Sequence, residues 1–239
     1  MFTPPPPFVE PSPRWIRVRA GETEIANSRR TLLLSWYGPG RMPTYCFPAE
    51  DVRTEFIADG GDVRAGDLFV ANGARLFTAE DAPFPELAGR WTFAWERGLT
   101  WMEEATEVSV HARDPRTRVD AIPSERRIVV EIDGQVVAES RRPVALFETT
   151  LPTRWYLPPE DVRQDVLVAS DRSTRCPYKG TAAYWSVQTA RALHPDIAWY
   201  YPDPIPENPR IRGLIAFFNE RVDVTIDGER EERPQSPFS

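Results

Sequence analysis

The sequence predicts a mainly β protein built from two tandem small β-rich modules with short helical turns. Three observations carry that expectation. Short apolar runs alternate with Gly and Pro clusters along most of the chain. Proline is abundant, at 25 of 239 residues, which suits many short strands and suits long helices poorly. A set of motifs also occurs twice, in the same order and at similar spacing.

The repeat is read from three pairs. "ANSRRTLLL" (26–34) matches "AESRRPVAL" (138–146). "PTYCFPAEDVR" (43–53) matches "PTRWYLPPEDVR" (152–163). "TWMEEATEVSVHA" (100–112) matches "AFFNERVDVTIDG" (216–228). The expected organisation is a diverged first module over 15–113, a polar linker over 114–125 and a second module over 126–228. The opening "MFTPPPPFVEPSPRW" reads as a polyproline-like, mobile lead-in. The tail "EREERPQSPFS" reads as charged and frayed.

Within the second module, "RRIVVEI" and "QVVAES" flank Asp133-Gly134, a strong short-range hairpin signal. Val130 and Ile132 alternate with Val129, Glu131 and Asp133, as in a half-buried strand. Further strands are expected at "VALFE", "DVLVA", "AAYWSVQ", "IAWYY", "LIAFF" and "VDVTI". "PAEDVR" and "PPEDVR" each suit a single helical turn, with proline early and acids near the start. Ser28, Arg29, Arg30, Glu50, Asp51 and Arg53 recur as Ser140, Arg141, Arg142, Glu160, Asp161 and Arg163. These read first as structural ion pairs around a turn, and second as an anion site.

Composition narrows the function. The net charge of −7 argues against nucleic acid as a partner, because phosphate binding favours a basic face. No apolar run reaches the ~20 residues of a membrane span, and the N-terminus lacks the pattern of a secretory signal. A cytoplasmic protein without a membrane partner is expected. Cys46 and Cys176 are too few for a disulfide framework, and His111 and His194 stand alone, so neither a structural metal nor a cofactor is expected.

The lysine count is the sharpest compositional signal. Of 29 Lys plus Arg, Lys179 is the one lysine, which leaves 28 arginines. A lysine surviving in such a background suggests a place where arginine fails. Lysine offers a compact ammonium of adjustable pKa, arginine a planar fork that stays charged. Lys179 lies in "TRCPYKGTAAYW" (174–185), a segment with no counterpart in the first module, where "GGDVRAGDLFVANG" stands instead.

Cys-Pro-Tyr-Lys-Gly has the composition of a turn that returns Lys179 toward Cys176. An ammonium there, with Arg175 beside it, would lower the thiol pKa from ~8.5 and make Cys176 a nucleophile. The alternative is a small, packed thiol. Lys179 could equally act as a base or Schiff-base nucleophile, or hold an anion as a point charge. Aromatics gather nearby: Tyr178, Tyr184, Trp185, Trp199, Tyr200 and Tyr201, with Trp199 and Tyr201 on one strand face and Tyr200 on the other.

The expected site therefore has Cys176 and Lys179 as its chemical pair. Arg175, Tyr178, Tyr184, Trp185, Trp199 and Glu220 would line a pocket for an anionic or carbonyl-bearing small molecule. A thiol-dependent enzyme and a non-catalytic interaction module are the competing readings. The two modules are expected to pair with each other within the chain.

The second module resembles the domain-of-unknown-function 427 family, sometimes filed as nucleotidyltransferase-like. The resemblance runs from "IDGQVVAESRRPVALFETTLPTRWYLPPEDV" through "STRCPYKGTAAYWSV" and "AWYYPDP" to "IRGLIAFFNERVDVTIDG". It implies a compact, mostly β domain with a barrel- or β-tent-like fold, and no established reaction. The first module resembles the family more faintly and lacks the Cys-Pro-Tyr-Lys-Gly hallmark. The chain has no Gly-Ser pair, no Asp-x-Asp and no Gly-x-x-x-x-Gly-Lys loop, so nucleotidyl transfer finds no support in its residues.

Overall fold

The computed structural model describes residues 5–95 and 97–239. They divide into two compact units, residues 5–114 and Pro115–Ser239. Each is a set of antiparallel sheets around its own apolar core.

The first unit has eleven strands. These are β1 (Phe8–Pro11), β2 (Ile16–Ala20), β3 (Thr23–Ser28), β4 (Leu32–Ser35), β5 (Thr44–Pro48), β6 (Val63–Ala65), β7 (Leu68–Val70), β8 (Ala74–Leu76), β9 (Arg90–Phe93), β10 (Leu99–Glu103) and β11 (Thr106–Val108). One sheet runs β1-β4-β5-β9-β8, a second runs β11-β10-β2-β3, and β6 and β7 form a two-stranded sheet. The expected mobile lead-in contains β1, whose Phe8–Pro11 backbone pairs along Leu32–Ser35.

The second unit also has eleven: β12 (Val119–Pro123), β13 (Ile128–Ile132), β14 (Gln135–Ser140), β15 (Val144–Glu148), β16 (Arg154–Leu157), β17 (Leu167–Cys176), β18 (Gly180–Gln188), β19 (Leu193–Tyr200), β20 (Ile215–Phe217), β21 (Asp223–Ile226) and β22 (Glu229–Arg230). A seven-stranded sheet runs β12-β15-β16-β20-β19-β18-β17, and a smaller one runs β14-β13-β21-β22. The segment expected as a linker holds β12, bonded along β15.

The fold is mainly β, and no helix of the described residues is long and apolar enough to cross a membrane. The barrel expectation is corrected. Among the described residues no sheet closes on itself; the seven-stranded sheet, the largest, ends in β12 and β17, each bonded on one side only.

Local chemistry explains several elements. The β13–β14 hairpin turns at Asp133 (φ 54°) and Gly134 (φ 77°), the positive pair that a tight primed turn requires. The expected alternation in β13 is broken, since Val129 is buried along with Val130; a bulge falls at Val130/Glu131. The two Glu-Asp motifs form single 3-10 turns, Ala49–Asp51 and Pro159–Asp161.

The tail is not frayed. β22 pairs with β21, Arg233 binds Asp223 at 2.8 Å, and the Phe238 ring lies 6.2 Å from Phe218. Opposite charge and one aromatic anchor overcome the polar composition of the segment.

Candidate functional site

Strand register decides which side chains meet. Antiparallel partners share a face of the sheet. Thr174 opposes Ala182, Tyr184 opposes Trp199, Trp199 opposes Ala216, Ala216 opposes Tyr156, Tyr156 opposes Val144 and Arg154 opposes Leu146. Two-residue alternation then adds Cys176 and Glu148 to the same face. One side of the seven-stranded sheet thus carries Cys176, Tyr184, Trp199, Tyr156, Arg154 and Glu148.

Lys179 joins this face from the β17–β18 turn. The turn closes with Lys179 N–H donating to the Cys176 carbonyl at 3.3 Å. Cys176 and Gly180 are opposed, and Gly180 takes a φ of 102°. A Cβ there would stand 3.3 Å from backbone atoms of Asp203 and Ile205. A side chain would therefore be both strained and crowded. The 203–208 loop pins the turn from outside: Ile205 N–H donates to the Lys179 carbonyl at 3.1 Å, and Asn208 Nδ2 donates to the Tyr178 carbonyl at 2.8 Å.

The Lys179 ammonium is buried and forms an ion pair with Glu148. The two side chains are about 10% and 9% exposed, so little water screens the pair. Cys176 sits within reach of both charges. Burial pushes its thiol up, the Lys179 ammonium pulls it down, and the Glu148 carboxylate pushes it up again. The net direction is upward, opposite to the expected activation, because burial and Glu148 together outweigh Lys179. Burial likewise raises the phenols of Tyr156 and Tyr201, which also feel Cys176 and Glu148.

A second buried pair continues the face. Arg154 meets Glu220 with two bonds, at 2.6 and 2.7 Å, and Ser236 also donates to Glu220. Burial raises the Glu220 carboxyl, but the Arg154 and Ser236 hydrogen bonds prevail and hold it low. The Arg154 guanidinium lies 5.5 Å from the Trp199 ring, and Trp199 Nε1 donates to the Tyr156 hydroxyl at 3.0 Å.

The expected site residues therefore separate. Cys176, Lys179, Tyr184 and Trp199 come together. Tyr184 is held by a 2.8 Å hydrogen bond with Thr174, and the Arg172 guanidinium lies 4.8 Å from its ring. Trp185 points to the opposite face, where it stacks on Tyr200 at 5.8 Å. Arg175 also has the opposite parity and is exposed. Tyr178 is half-buried in the turn itself. Glu220 is engaged by Arg154 rather than Lys179. The alternation expected for the aromatic run is present: Trp199 and Tyr201 are buried, while Tyr200 is half-buried.

Glu148, Tyr156 and Arg154 are the members that sequence reasoning missed. Glu148 closes the run "VALFE", 31 residues before Lys179. Its one local signal is a carboxylate ending an otherwise apolar strand. Among the described residues, no group of three or more His, Cys, Asp or Glu side chains is placed to hold a metal ion. Cys46 and Cys176 are both free thiols.

Comparison with known families bears on the unit that holds this cluster. Residues 120–228 match the family model described as a domain of unknown function, DUF427. The matched span contains Glu148, Arg154, Tyr156, Cys176, Lys179, Trp199 and Glu220. The first unit lies outside the DUF427 match, as do residues 229–239. No curated protein matches the chain.

Proposed function

We propose that the DUF427 region holds a small-molecule site around the Cys176–Lys179 turn, taking an anionic or carbonyl-bearing ligand. One observation carries this reading: a buried Lys179–Glu148 pair stands where the equivalent positions of the first unit carry no charge. Counted from Ser28 and Ser140, Trp36 occupies the place of Glu148. Counted back from Asp51 and Asp161, Cys46 occupies the place of Tyr156 and Thr44 that of Arg154. We read the two units as copies of one module, the first diverged.

The uncharged copy supports the view that this architecture does not need charge here. Buried ion pairs are weak contributors to stability against apolar replacements. Their presence is therefore better explained by a task than by folding. The ammonium has three N–H donors, of which Glu148 needs one; the others suit a carbonyl or carboxylate oxygen. Tyr184 and Trp199 would supply shape.

A thiol-dependent enzyme has less support, because Cys176 is shifted toward the protonated form at neutral pH. The two free cysteines suit a reducing, cytoplasmic setting.

The test is untargeted mass spectrometry of small molecules released from purified wild-type protein, Lys179→Met and Lys179→Met/Glu148→Leu. A compound retained by the wild type and lost from both variants is expected. Identical extracts from all three, with all three folded, would overturn the reading. The double variant removes both charges, so loss of binding there is not a consequence of a stranded carboxylate.

A further inference from the structure

The second unit has another concavity, apart from the Lys179 face. It is a cleft of about 220 Å³. Its floor is formed by Trp155, Val222, Val224 and Ile226, all buried residues. Trp155 has the strand parity opposite to Tyr156, so this cleft opens on the other side of the seven-stranded sheet. The C-terminal strap supplies one rim through Glu231, Glu232 and Pro234.

The charges around the cleft are unequal. Arg126 also lines it, but its guanidinium is bound to Asp227 at 2.7 Å. Arg230 and Arg233 flank the two glutamates in sequence, and both turn to Asp223, at 2.5 and 2.8 Å. Among the described residues, Glu231 and Glu232 have no side-chain hydrogen bond or ion pair. The rim therefore carries two uncompensated carboxylates over an aliphatic and indole floor. The strap that carries them is tied down by Arg233 to Asp223 and by Ser236 to Glu220.

The floor already accommodates a cation. The Arg126 guanidinium lies 5.7 Å from the centre of the Trp155 ring. That is within the range where the negative face of an indole attracts positive charge. The cleft is smaller than the ~300–1,000 Å³ of drug-sized pockets.

We propose that this cleft binds a small organic amine with an apolar body, its ammonium at Glu231 and Glu232 and its hydrocarbon or ring on Trp155 and Val224. Size, apolar floor and uncompensated negative rim select that class together. A neutral ligand would gain less from the carboxylates than a cation, and an anion would be repelled by them.

The experiment is an NMR titration of the full-length 15N-labelled protein with phenethylamine, 2-phenylethanol and 3-phenylpropanoate. The Trp155 indole signal is assigned through Trp155→Phe. Phenethylamine is expected to move the Trp155 indole and the Val222–Ile226 amides saturably, with a Kd on the millimolar scale or tighter. The double variant Glu231→Gln/Glu232→Gln, altered only at exposed positions, should weaken it about fivefold, a size typical of exposed charge pairs. 2-Phenylethanol should bind more weakly by a similar factor. Absence of a saturable shift, equal binding of amine and alcohol, or unchanged affinity in the double variant would each overturn the proposal. Tighter binding of 3-phenylpropanoate would overturn it too, and would make Arg126 the anchor.

Discussion

The two units have corresponding serine–aspartate–arginine ties and differ in what covers one face of a sheet. In the first, Ser28 Oγ donates to Asp51 at 2.6 Å and Arg30 binds the same carboxylate at 2.7 Å. In the second, Ser140 donates to Asp161 at 2.7 Å and Arg142 binds it at 3.1 Å. The strand orders β10-β2-β3 and β21-β13-β14 correspond, as do β1-β4-β5-β9 and β12-β15-β16-β20. Yet on the face beyond the tie, Leu34, Cys46, Phe77 and Leu87 form a buried apolar cluster in the first unit. Its counterpart carries Lys179–Glu148 and Arg154–Glu220. Register and ties are thus compatible with either filling, and the filling is where the units part.

The largest expected effect would break the comparison. Glu220→Ala strands the Arg154 guanidinium, whose side chain is 6% exposed, and should destabilise the second unit by about 3–5 kcal/mol in urea unfolding. A loss below ~1 kcal/mol would mean that the pair contributes no more than a surface bridge. The same pair sets a pH dependence. The Glu220 carboxyl is held below its ordinary range, so its stabilisation is complete above that range and is lost as pH falls through the lowered value. Acid should therefore destabilise wild type more than an Arg154→Met/Glu220→Leu variant, as measured by Tm between neutral and acid pH.

Next in size is Lys179→Met, which leaves Glu148 buried without a partner and should cost about 3 kcal/mol. Lys179→Met/Glu148→Leu should regain most of that, because it removes both charges from this corner, as in the first unit. Failure to regain it would show that the charged pair is needed for folding and would weaken the proposed ligand site.

A smaller effect sharpens the likeness. Asp51→Ala and Asp161→Ala each remove the acceptor of a serine and an arginine, and each should cost about 1–2 kcal/mol. Values that differ widely would mean that the two ties are not equivalent.

The smallest effect concerns the thiols. Iodoacetamide should label Cys176 slowly in the folded protein, with an apparent pKa above the usual ~8.5. Cys46 should stay unlabelled, because burial pushes its thiol up to about 12. Fast labelling at Cys176 that depends on Lys179 would restore the activated nucleophile.

Much of the secondary structure was legible because it is encoded between neighbours. Asp133-Gly134 supplies the positive φ pair of a hairpin wherever it stands. The alternation of Trp199, Tyr200 and Tyr201 needs only the two-residue period of a strand. The repeated Ser-Arg-Arg and Glu-Asp motifs revealed the common ties before their geometry was known. The lone lysine marked the turn, since composition made it an outlier.

What the tertiary structure alone decided is which distant groups share a face. Glu148 is one of 36 acidic residues, and nothing near it in the chain points to Lys179. Their meeting depends on strand order, which places the end of β15 and the β17–β18 turn over one side of the same sheet. The sign of the Cys176 shift was hidden for the same reason: spacing reports that Lys179 is close, whereas burial and Glu148 act through the fold. Local periodicity is a property of the chain, but burial and charge pairing belong to the packed sheet.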